Sequence, residues 1–89
     1  MRFEWDEAKS AKIEKERGVS FQTLKEIIAA GKILDAVDHP ARSDQRLLVI
    51  PVAGEAWVVV IEPRGERIRL VTAYPSRKWR KTWHARKSS

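Results

Sequence analysis

Apolar residues in the first third of the chain recur at helical spacing. Asp6 is a favourable N-cap for a helix over residues 7–17, and Gly18 ends that helix because glycine readily adopts the left-handed conformation. Ser20 can begin a second helix over about residues 21–30, closed by Gly31. This second helix has the stronger apolar face, formed by Phe21, Leu24, Ile27 and Ile28. We therefore predict two N-terminal helices.

From residue 33 onward the apolar positions change to a period of two, which is typical of strands. The pattern predicts a short strand over residues 33–37, which could lie at a sheet edge, and three more strands over 46–52, 56–62 and 67–74. Short connections at 53–55 and 64–66 favour an antiparallel meander. Pro75 ends the last strand because it has no N–H to donate, and Ser76 can begin a C-terminal helix over about 76–87. The prediction is a single α+β domain over residues 1–89, with an antiparallel sheet of three to four strands.

Length and composition exclude several classes of protein. The 89 residues suffice for one small domain, and the absence of cysteine excludes disulfides and thiolate metal sites. No apolar run is long enough to span a bilayer, so we expect a cytoplasmic protein that does not enter the membrane. His39 and His84 are the only histidines and lack metal-ligand spacing, and the four glycines form no phosphate-binding loop. We expect neither a metal nor a cofactor.

The net positive charge comes from one end of the chain. The first 75 residues contain 12 lysines and arginines against 12 acidic residues. The formal charge of +6 arises from six residues that no acid follows: Arg77, Lys78, Arg80, Lys81, Arg86 and Lys87. Charge confined in this way indicates a polyanion or an acidic partner, although a solvated tail is the simpler alternative. Trp79 and Trp83 argue against a disordered tail, because disordered basic tails are usually poor in aromatic residues.

Arginines on the predicted strands are the residues best suited to chemistry. Arg67 and Arg69 are two positions apart and point to the same face, while Arg46 begins another strand. Guanidinium groups match phosphate oxygens bidentately, although paired surface charges would give the same pattern. Tyr74 could stack on a base or transfer a proton, or could be only a half-buried aromatic. Arg77 and Lys78 would add positive charge beside it.

Several segments resemble one protein family in order along the chain. The opening, Phe3-Glu4-Trp5-Asp6-Glu7-Ala8-Lys9 followed by Gly18-Val19-Ser20-Phe21, resembles the start of the BrnT family of bacterial type II toxins. Three later segments also resemble that family: Asp44-Gln45-Arg46, Val58-Val59-Val60, and Arg67-Ile68-Arg69-Leu70-Val71-Thr72. The stretch from Thr72 to Ser76 looks more like other ribonuclease toxins of the wider RelE-like group. Together the resemblance covers about residues 3–74.

The resemblance implies a RelE-like fold and a metal-independent endoribonuclease that arrests growth. It also implies a cognate antitoxin, usually a ribbon-helix-helix DNA-binding protein, through which the complex would contact operator DNA. Our hypothesis is that the ribose 2′-OH of RNA attacks the adjacent phosphate. Arg46 and Arg69 would hold the phosphate, with Arg67 as a further candidate. Tyr74 would transfer a proton or stack on a base, with Glu62 or His84 as alternative bases. The expected RNA-binding residues are Arg67, Arg77, Lys78, Arg80 and Lys81.

Two other functions remain open from the sequence. The chain could bind nucleic acid without cleaving it, in which case loss of Arg69 would weaken binding and no cleavage would be seen. It could instead be a protein-interaction module whose basic C-terminal segment docks on an acidic partner.

Overall fold

The computed structural model describes residues 2–79. Its elements, in chain order, are β1 (Arg2–Glu4), α1 (Glu7–Arg17), α2 (Phe21–Ala29), β2 (Asp35–Asp38), β3 (Arg46–Val52), β4 (Glu55–Arg64) and β5 (Arg67–Pro75). Residues 77–79 begin a further helix, and the Trp79 N–H donates to the Ser76 side chain, as expected of an N-cap. The remainder of the predicted C-terminal helix, including Arg80 and Lys81, lies outside the described residues.

Both N-terminal helices begin and end close to the predicted residues. The Asp6 carboxylate accepts hydrogen bonds from the backbone N–H groups of Ala8 and Lys9, and α1 ends at Gly18 in the left-handed conformation. The Ser20 hydroxyl accepts from the N–H of Thr23 at the start of α2. Capping by short polar side chains therefore determines where each helix starts, and the position of glycine determines where α1 stops.

The five strands form one mixed sheet in the order β1-β5-β4-β3-β2. The antiparallel meander from β2 to β5 is confirmed, with β2 at one edge. The prediction of an entirely antiparallel sheet with at most four strands is wrong, because Arg2–Glu4 forms a fifth strand that pairs in parallel with β5. This strand has three residues and its partner begins at Arg67, so neither local periodicity nor a short connection indicates the pairing.

The strand boundaries differ slightly from those predicted. The first predicted strand, over 33–37, is shifted to Asp35–Asp38. The predicted loop at residues 53–55 is a two-residue turn, Ala53-Gly54, because β4 already begins at Glu55. Both turn residues have positive φ, as a type I′ hairpin requires.

The sheet has two faces with different surroundings. On one, here called the helix-covered face, Ile13 of α1 and Phe21, Leu24 and Ile28 of α2 pack against the sheet residues Leu48, Ile50, Val52, Trp57, Val59, Ile61, Leu70 and Ala73. The other, called the opposite face, has a smaller buried cluster of Val49, Ala56, Val58 and Val60. Four partly buried residues pack against that cluster: Leu34, Leu47, Val71 and Trp79. Both sides of the central strands are therefore apolar, which explains the nearly continuous apolar run in β4.

A β-bulge in β5 changes which residues share a face. Ile61 pairs with Leu70, whereas Val60 pairs with Thr72, so β5 has one extra residue at this point. As a result Leu70 and Ala73, three positions apart, both lie on the helix-covered face, while Val71 packs on the opposite face. The alternation before the bulge is thus reversed after it.

Candidate functional site

Arg67 and Arg69 share one face of β5, as their spacing predicts. That face is the one called the opposite face, away from the two helices. Between them Ile68 packs on the helix-covered face. Arg69 pairs across the sheet with Glu62 of β4 and with Glu4 of β1. These three side chains, together with Arg2, Arg64 and Arg67, are called the charged end of the opposite face. The missed strand β1 therefore supplies two members of this group.

Arg2 and Arg67 are direct register partners on neighbouring parallel strands. Neither side chain has an acidic partner among residues 2–79. Like charges directly opposite one another destabilise a sheet unless an anion lies between them. The pair is therefore suited to a phosphate group, which guanidinium binds bidentately.

Arg69 is held by an acidic residue of β1. Its Nη1 lies 3.5 Å from Oε2 of Glu4, and both side chains are about one-third exposed, at 32% and 30%. The distance is at the limit of a hydrogen bond, so the guanidinium retains donors for a ligand.

Glu62 provides the least exposed carboxylate of the charged end, with 14% of its side chain accessible. Its Oε2 accepts a hydrogen bond from Nε of Arg64 at 2.6 Å, and its Oε1 lies 3.4 Å from Nε2 of the buried Gln45. Because Arg64 is two residues away on the same strand, it lies on the same face as Glu62. A fixed carboxylate thus lies directly across from Arg69.

The loop before β3 adds a surface ion pair next to this group. Nε and Nη2 of Arg42 donate to the two carboxylate oxygens of Asp44, at 3.2 and 3.1 Å. These hydrogen bonds, chiefly, lower the pKa of Asp44 and raise that of Arg42. A lowered carboxylate pKa stabilises the folded chain above the ordinary value of aspartate, and the contribution is lost as the pH falls through the lowered value.

Arg46 does not join Arg69. It pairs with Ile61, whose side chain is part of the helix-covered core, so the register places Arg46 on the helix-covered side of the sheet. There its Nε lies 3.5 Å from Oδ1 of Asp38, on the neighbouring edge strand. The structure therefore separates the two arginines that the sequence suggested would share one phosphate.

Tyr74 lies on the same face as Arg69 because of the β-bulge. The two residues are five positions apart, so strict alternation would place them on opposite faces. Instead Tyr74 pairs with Val58, which belongs to the opposite-face cluster, and its side chain is exposed. Val58 and Glu62 are four residues apart on β4, which separates Tyr74 from Arg69 by about 13 Å along the face. The distance joins two backbone positions, so both side chains would have to extend toward one another to contact one phosphate.

Arg77 and Lys78 follow directly after β5, beyond Tyr74. Both are exposed, and Nζ of Lys78 lies 5.9 Å from the centroid of the Trp79 ring, within the range of a cation–π interaction. Because the Ser76 N–H donates to the Ala56 carbonyl, at 2.9 Å, the start of this segment is fixed to β4. The predicted positive charge therefore continues from the sheet into the helix that begins here.

Sequence reasoning missed three residues of the charged end: Arg2 and Glu4 on β1, and Arg64, which it assigned only to a turn. The segment Arg2-Phe3-Glu4 does alternate polar, apolar, polar, which is a weak strand signal. Three residues are too few for that signal to be separated from chance, and the resemblance drew attention only to Phe3 and Glu4 as part of a motif. The sequence offers Glu62 as an alternative base, but it does not indicate that Arg69 lies directly across from it.

Between residues 2 and 79 no helix is long and apolar enough to cross a bilayer. In that same part of the chain no three histidine, cysteine or acidic side chains come together in a group that could hold a metal ion.

Comparison with known proteins identifies the family of the chain. No curated protein and no solved structure gives a significant match, so the expected RelE-like fold stays a prediction. A protein-family model does match, over residues 5–81, and it describes the ribonuclease toxin BrnT of a type II toxin–antitoxin system. This match spans both helices and strands β2 to β5, including Glu62, Arg67 and Arg69. The chain therefore belongs to the BrnT family of ribonuclease toxins of type II toxin–antitoxin systems.

Proposed function

We propose that this toxin cleaves RNA without a metal ion, at the charged end of the opposite face. The observation that supports this most is the register of three residues. Arg67 and Arg69 lie on one face of β5, and the half-buried Glu62 carboxylate is directly across from Arg69. Phosphate-binding cations beside a proton acceptor are the minimum that RNA cleavage by its own 2′-OH requires.

In the proposed reaction the RNA supplies the nucleophile. The 2′-oxygen attacks the adjacent phosphorus, the bond to the 5′-oxygen of the next nucleotide breaks, and a 2′,3′-cyclic phosphate forms. Glu62 accepts the proton of the 2′-OH, and the departing 5′-oxygen takes a proton from water. Arg69 and Arg67 bind the phosphate and stabilise the negative charge that grows on its oxygens. Stabilisation of this kind is usually the largest single contribution to catalysis.

Other predicted residues take separate roles in this proposal. Tyr74, about 13 Å from Arg69 along the face, stacks on a base of the bound strand rather than moving a proton at the cleaved phosphate. Lys78, Arg80 and Lys81 contribute salt-dependent affinity for the RNA backbone, and Arg77 is a further RNA-binding residue beside them. Arg46 is assigned no direct part in cleavage, because its register position is on the other side of the sheet.

Family membership implies a cognate antitoxin. We propose that it is a ribbon-helix-helix protein, that it covers the charged end, and that it brings the complex to operator DNA. Glu4 and Glu62 already offset part of the positive charge there, so an acidic segment of the antitoxin would have to contact mainly Arg2 and Arg67. Charge reversal at Arg67 should then lower the affinity for the antitoxin, whereas the same change at Arg46 should not.

The decisive experiment compares two arginines on the two sides of the sheet. Cleavage of a defined single-stranded RNA is measured in EDTA with the wild type, Arg69→Ala and the matched control Arg46→Ala. We expect Arg69→Ala to lower the rate about 10²–10³-fold, as loss of one transition-state donor does. The control should retain nearly the full rate. Glu62→Gln should lower it by about 10²–10⁴-fold, the range for a general base.

The products and the substrate test the chemistry independently. We expect the products to have 2′,3′-cyclic phosphate ends. We also expect an RNA with a 2′-deoxyribose at the cleaved position to resist cleavage. Equal losses in the two arginine variants would contradict the proposed site. If naked RNA is bound but not cut, the same variants are tested on messenger RNA in translating ribosomes. An absence of cleavage there as well would favour a binding module without catalysis.

A further inference from the structure

A cavity of about 240 Å³ lies beyond Tyr74 on the sheet, where β4 begins and β5 ends. It is lined by Glu55, Ala56, Pro75, Ser76 and Arg77. Ala56 belongs to the opposite-face cluster and is two residues from Val58, the partner of Tyr74. The floor of the cavity is therefore about 7 Å from the position of Tyr74 along the same face.

Backbone pairing between β4 and the end of β5 fixes the floor of this cavity. Pro75 pairs with Trp57, and the hydrogen bond from Ser76 to the Ala56 carbonyl continues the pairing past the end of β5. Its volume is many times the space that a single water molecule needs in a cavity, which is enough for a planar purine. Tyr74 directly precedes Pro75 of the cavity lining and is exposed, and such aromatic rings stack on unpaired bases.

Two opposite charges on the cavity wall have no partner in the described part of the chain. Neither the Glu55 carboxylate nor the Arg77 guanidinium forms an ion pair or a side-chain hydrogen bond with another residue between 2 and 79. Carboxylate oxygens only accept hydrogen bonds and guanidinium only donates them. A ligand that satisfies both must carry donors for the carboxylate and acceptors for the guanidinium.

Among the bases, guanine fits this requirement best. It has two adjacent donors, N1–H and the N2 amino group, which match the two oxygens of a carboxylate, and acceptors at O6 and N7, which match arginine. Adenine and cytosine offer a single amino group to the carboxylate, and uracil a single N–H. We infer that this cavity is a guanine-binding subsite, with the base stacked on Tyr74, its N1–H and N2 amino group bound by Glu55, and its O6 and N7 bound by Arg77.

This inference rests on the proposed function for its RNA ligand, and its test uses binding rather than cleavage. The probes are uridine hexanucleotides that contain one central guanine, inosine or adenine, each with 2′-fluoro riboses that cannot be cut. Dissociation constants are measured by fluorescence anisotropy with the wild-type protein. We expect guanine to bind about tenfold more tightly than adenine, in line with one bidentate contact. Inosine, which lacks the N2 amino group, should fall between them.

The variants identify the residues that read the base. Glu55→Gln should remove most of the preference of guanine over inosine, because an amide cannot accept two hydrogen bonds side by side. The matched control is Glu66→Gln, another exposed acidic residue at the other end of β4, in the turn before β5. It should leave the preference unchanged. Arg77→Gln should weaken guanine and inosine probes equally, since both present O6 and N7.

The binding results test the guanine subsite independently of RNA cleavage. A guanine preference that Glu55→Gln removes supports the subsite, even if native RNA is never cleaved. Equal affinity for the guanine, inosine and adenine probes overturns it, even if Arg69-dependent cleavage is observed. A preference that survives both Glu55→Gln and Arg77→Gln also overturns it, because another part of the chain must then read the base. Failure to bind any probe overturns it as well.

Discussion

The two faces of this sheet are built from the same strands but meet different demands. On the helix-covered face, α1 and α2 bury the larger apolar cluster, which includes Phe21 and Leu24 with no accessible surface. On the opposite face a smaller apolar cluster is followed at one end by the charged end and at the other by Tyr74 and the cavity. Consecutive residues of β5 therefore serve the core and the candidate site in turn.

This division shows how an 89-residue chain can hold several guanidinium groups close together. Clustered cations repel one another and contribute little packing, so they lower the stability of the surface that contains them. The helix-covered face offsets that cost, because its buried area supplies most of the hydrophobic stabilisation. Substitutions on the helix-covered face should therefore change the free energy of unfolding, and substitutions at the charged end should change the rate of RNA cleavage.

The largest expected effect on stability comes from Phe21→Ala. The Phe21 ring is fully buried and lies 6.2 Å, centroid to centroid, from that of Trp5. Truncation of a buried phenylalanine costs about 3–5 kcal/mol, a large part of the stability of a small domain. Urea unfolding measures the loss. Arg69→Ala should change the free energy of unfolding by less than about 1 kcal/mol, since the group is partly exposed. Similar losses in the two variants would show that the faces are not separable.

A smaller loss is expected from Ser10→Ala, which tests a polar contact within the helix-covered side. Ser10 is buried in α1, and its hydroxyl accepts a hydrogen bond from the backbone N–H of Phe21 at 3.0 Å. Without that acceptor a buried donor at the start of α2 is left unpaired, which costs about 1–3 kcal/mol. Thermal unfolding and faster hydrogen exchange of the Phe21 amide would show it. Ser43→Ala, in an exposed loop, is the matched control and should have no effect.

A change at His39 tests whether the loop before β3 supports the charged end. Its Nδ1 accepts hydrogen bonds from the N–H groups of Ala41 and Arg42, at 3.0 and 3.1 Å. His39→Ala should cost about 1 kcal/mol in unfolding free energy. Because the same loop leads to Gln45, which contacts Glu62, cleavage should also fall, by less than in Glu62→Gln.

The matched variant is His39→Asn. An asparagine side-chain oxygen accepts from the backbone two residues ahead in the same kind of turn. It should therefore restore most of both the stability and the cleavage rate. If His39→Ala alters stability but leaves cleavage at the wild-type rate, the loop does not position Glu62.

The elements of this fold that local signals specify were predictable, and those that depend on distant pairing were not. Asp6, Gly18 and Ser20 determine the helix ends within a few residues of themselves, and Pro75 ends the last strand. The parallel pairing of β1 joins residues more than sixty positions apart. No spacing rule reaches that far, so the fifth strand was missed.

In the candidate site, too, local spacing was predictable and strand register was not. The shared face of Arg67 and Arg69 needs only the period of two, and the structure agrees with it. The position of Tyr74 depends on one extra residue in β5, and that of Arg46 on the register between β3 and β4. A bulge or a one-residue shift of register moves a side chain to the other face, so no argument from composition or spacing could place these two residues relative to Arg69.

The smallest effect is expected at the Ala53-Gly54 turn between β3 and β4, and it should raise stability without favouring either face. Ala53 has a φ of +49°, a conformation that costs a residue with a side chain about 1–2 kcal/mol. Asparagine tolerates it better, and Asn-Gly is the preferred pair for such turns. Ala53→Asn should therefore gain about 0.5 kcal/mol in urea unfolding. Ala41→Asn, at an exposed alanine with negative φ, should gain nothing, and both variants should cleave RNA at the wild-type rate. A change in cleavage with Ala53→Asn would show that this hairpin, which leads into Glu55, also positions the bound RNA.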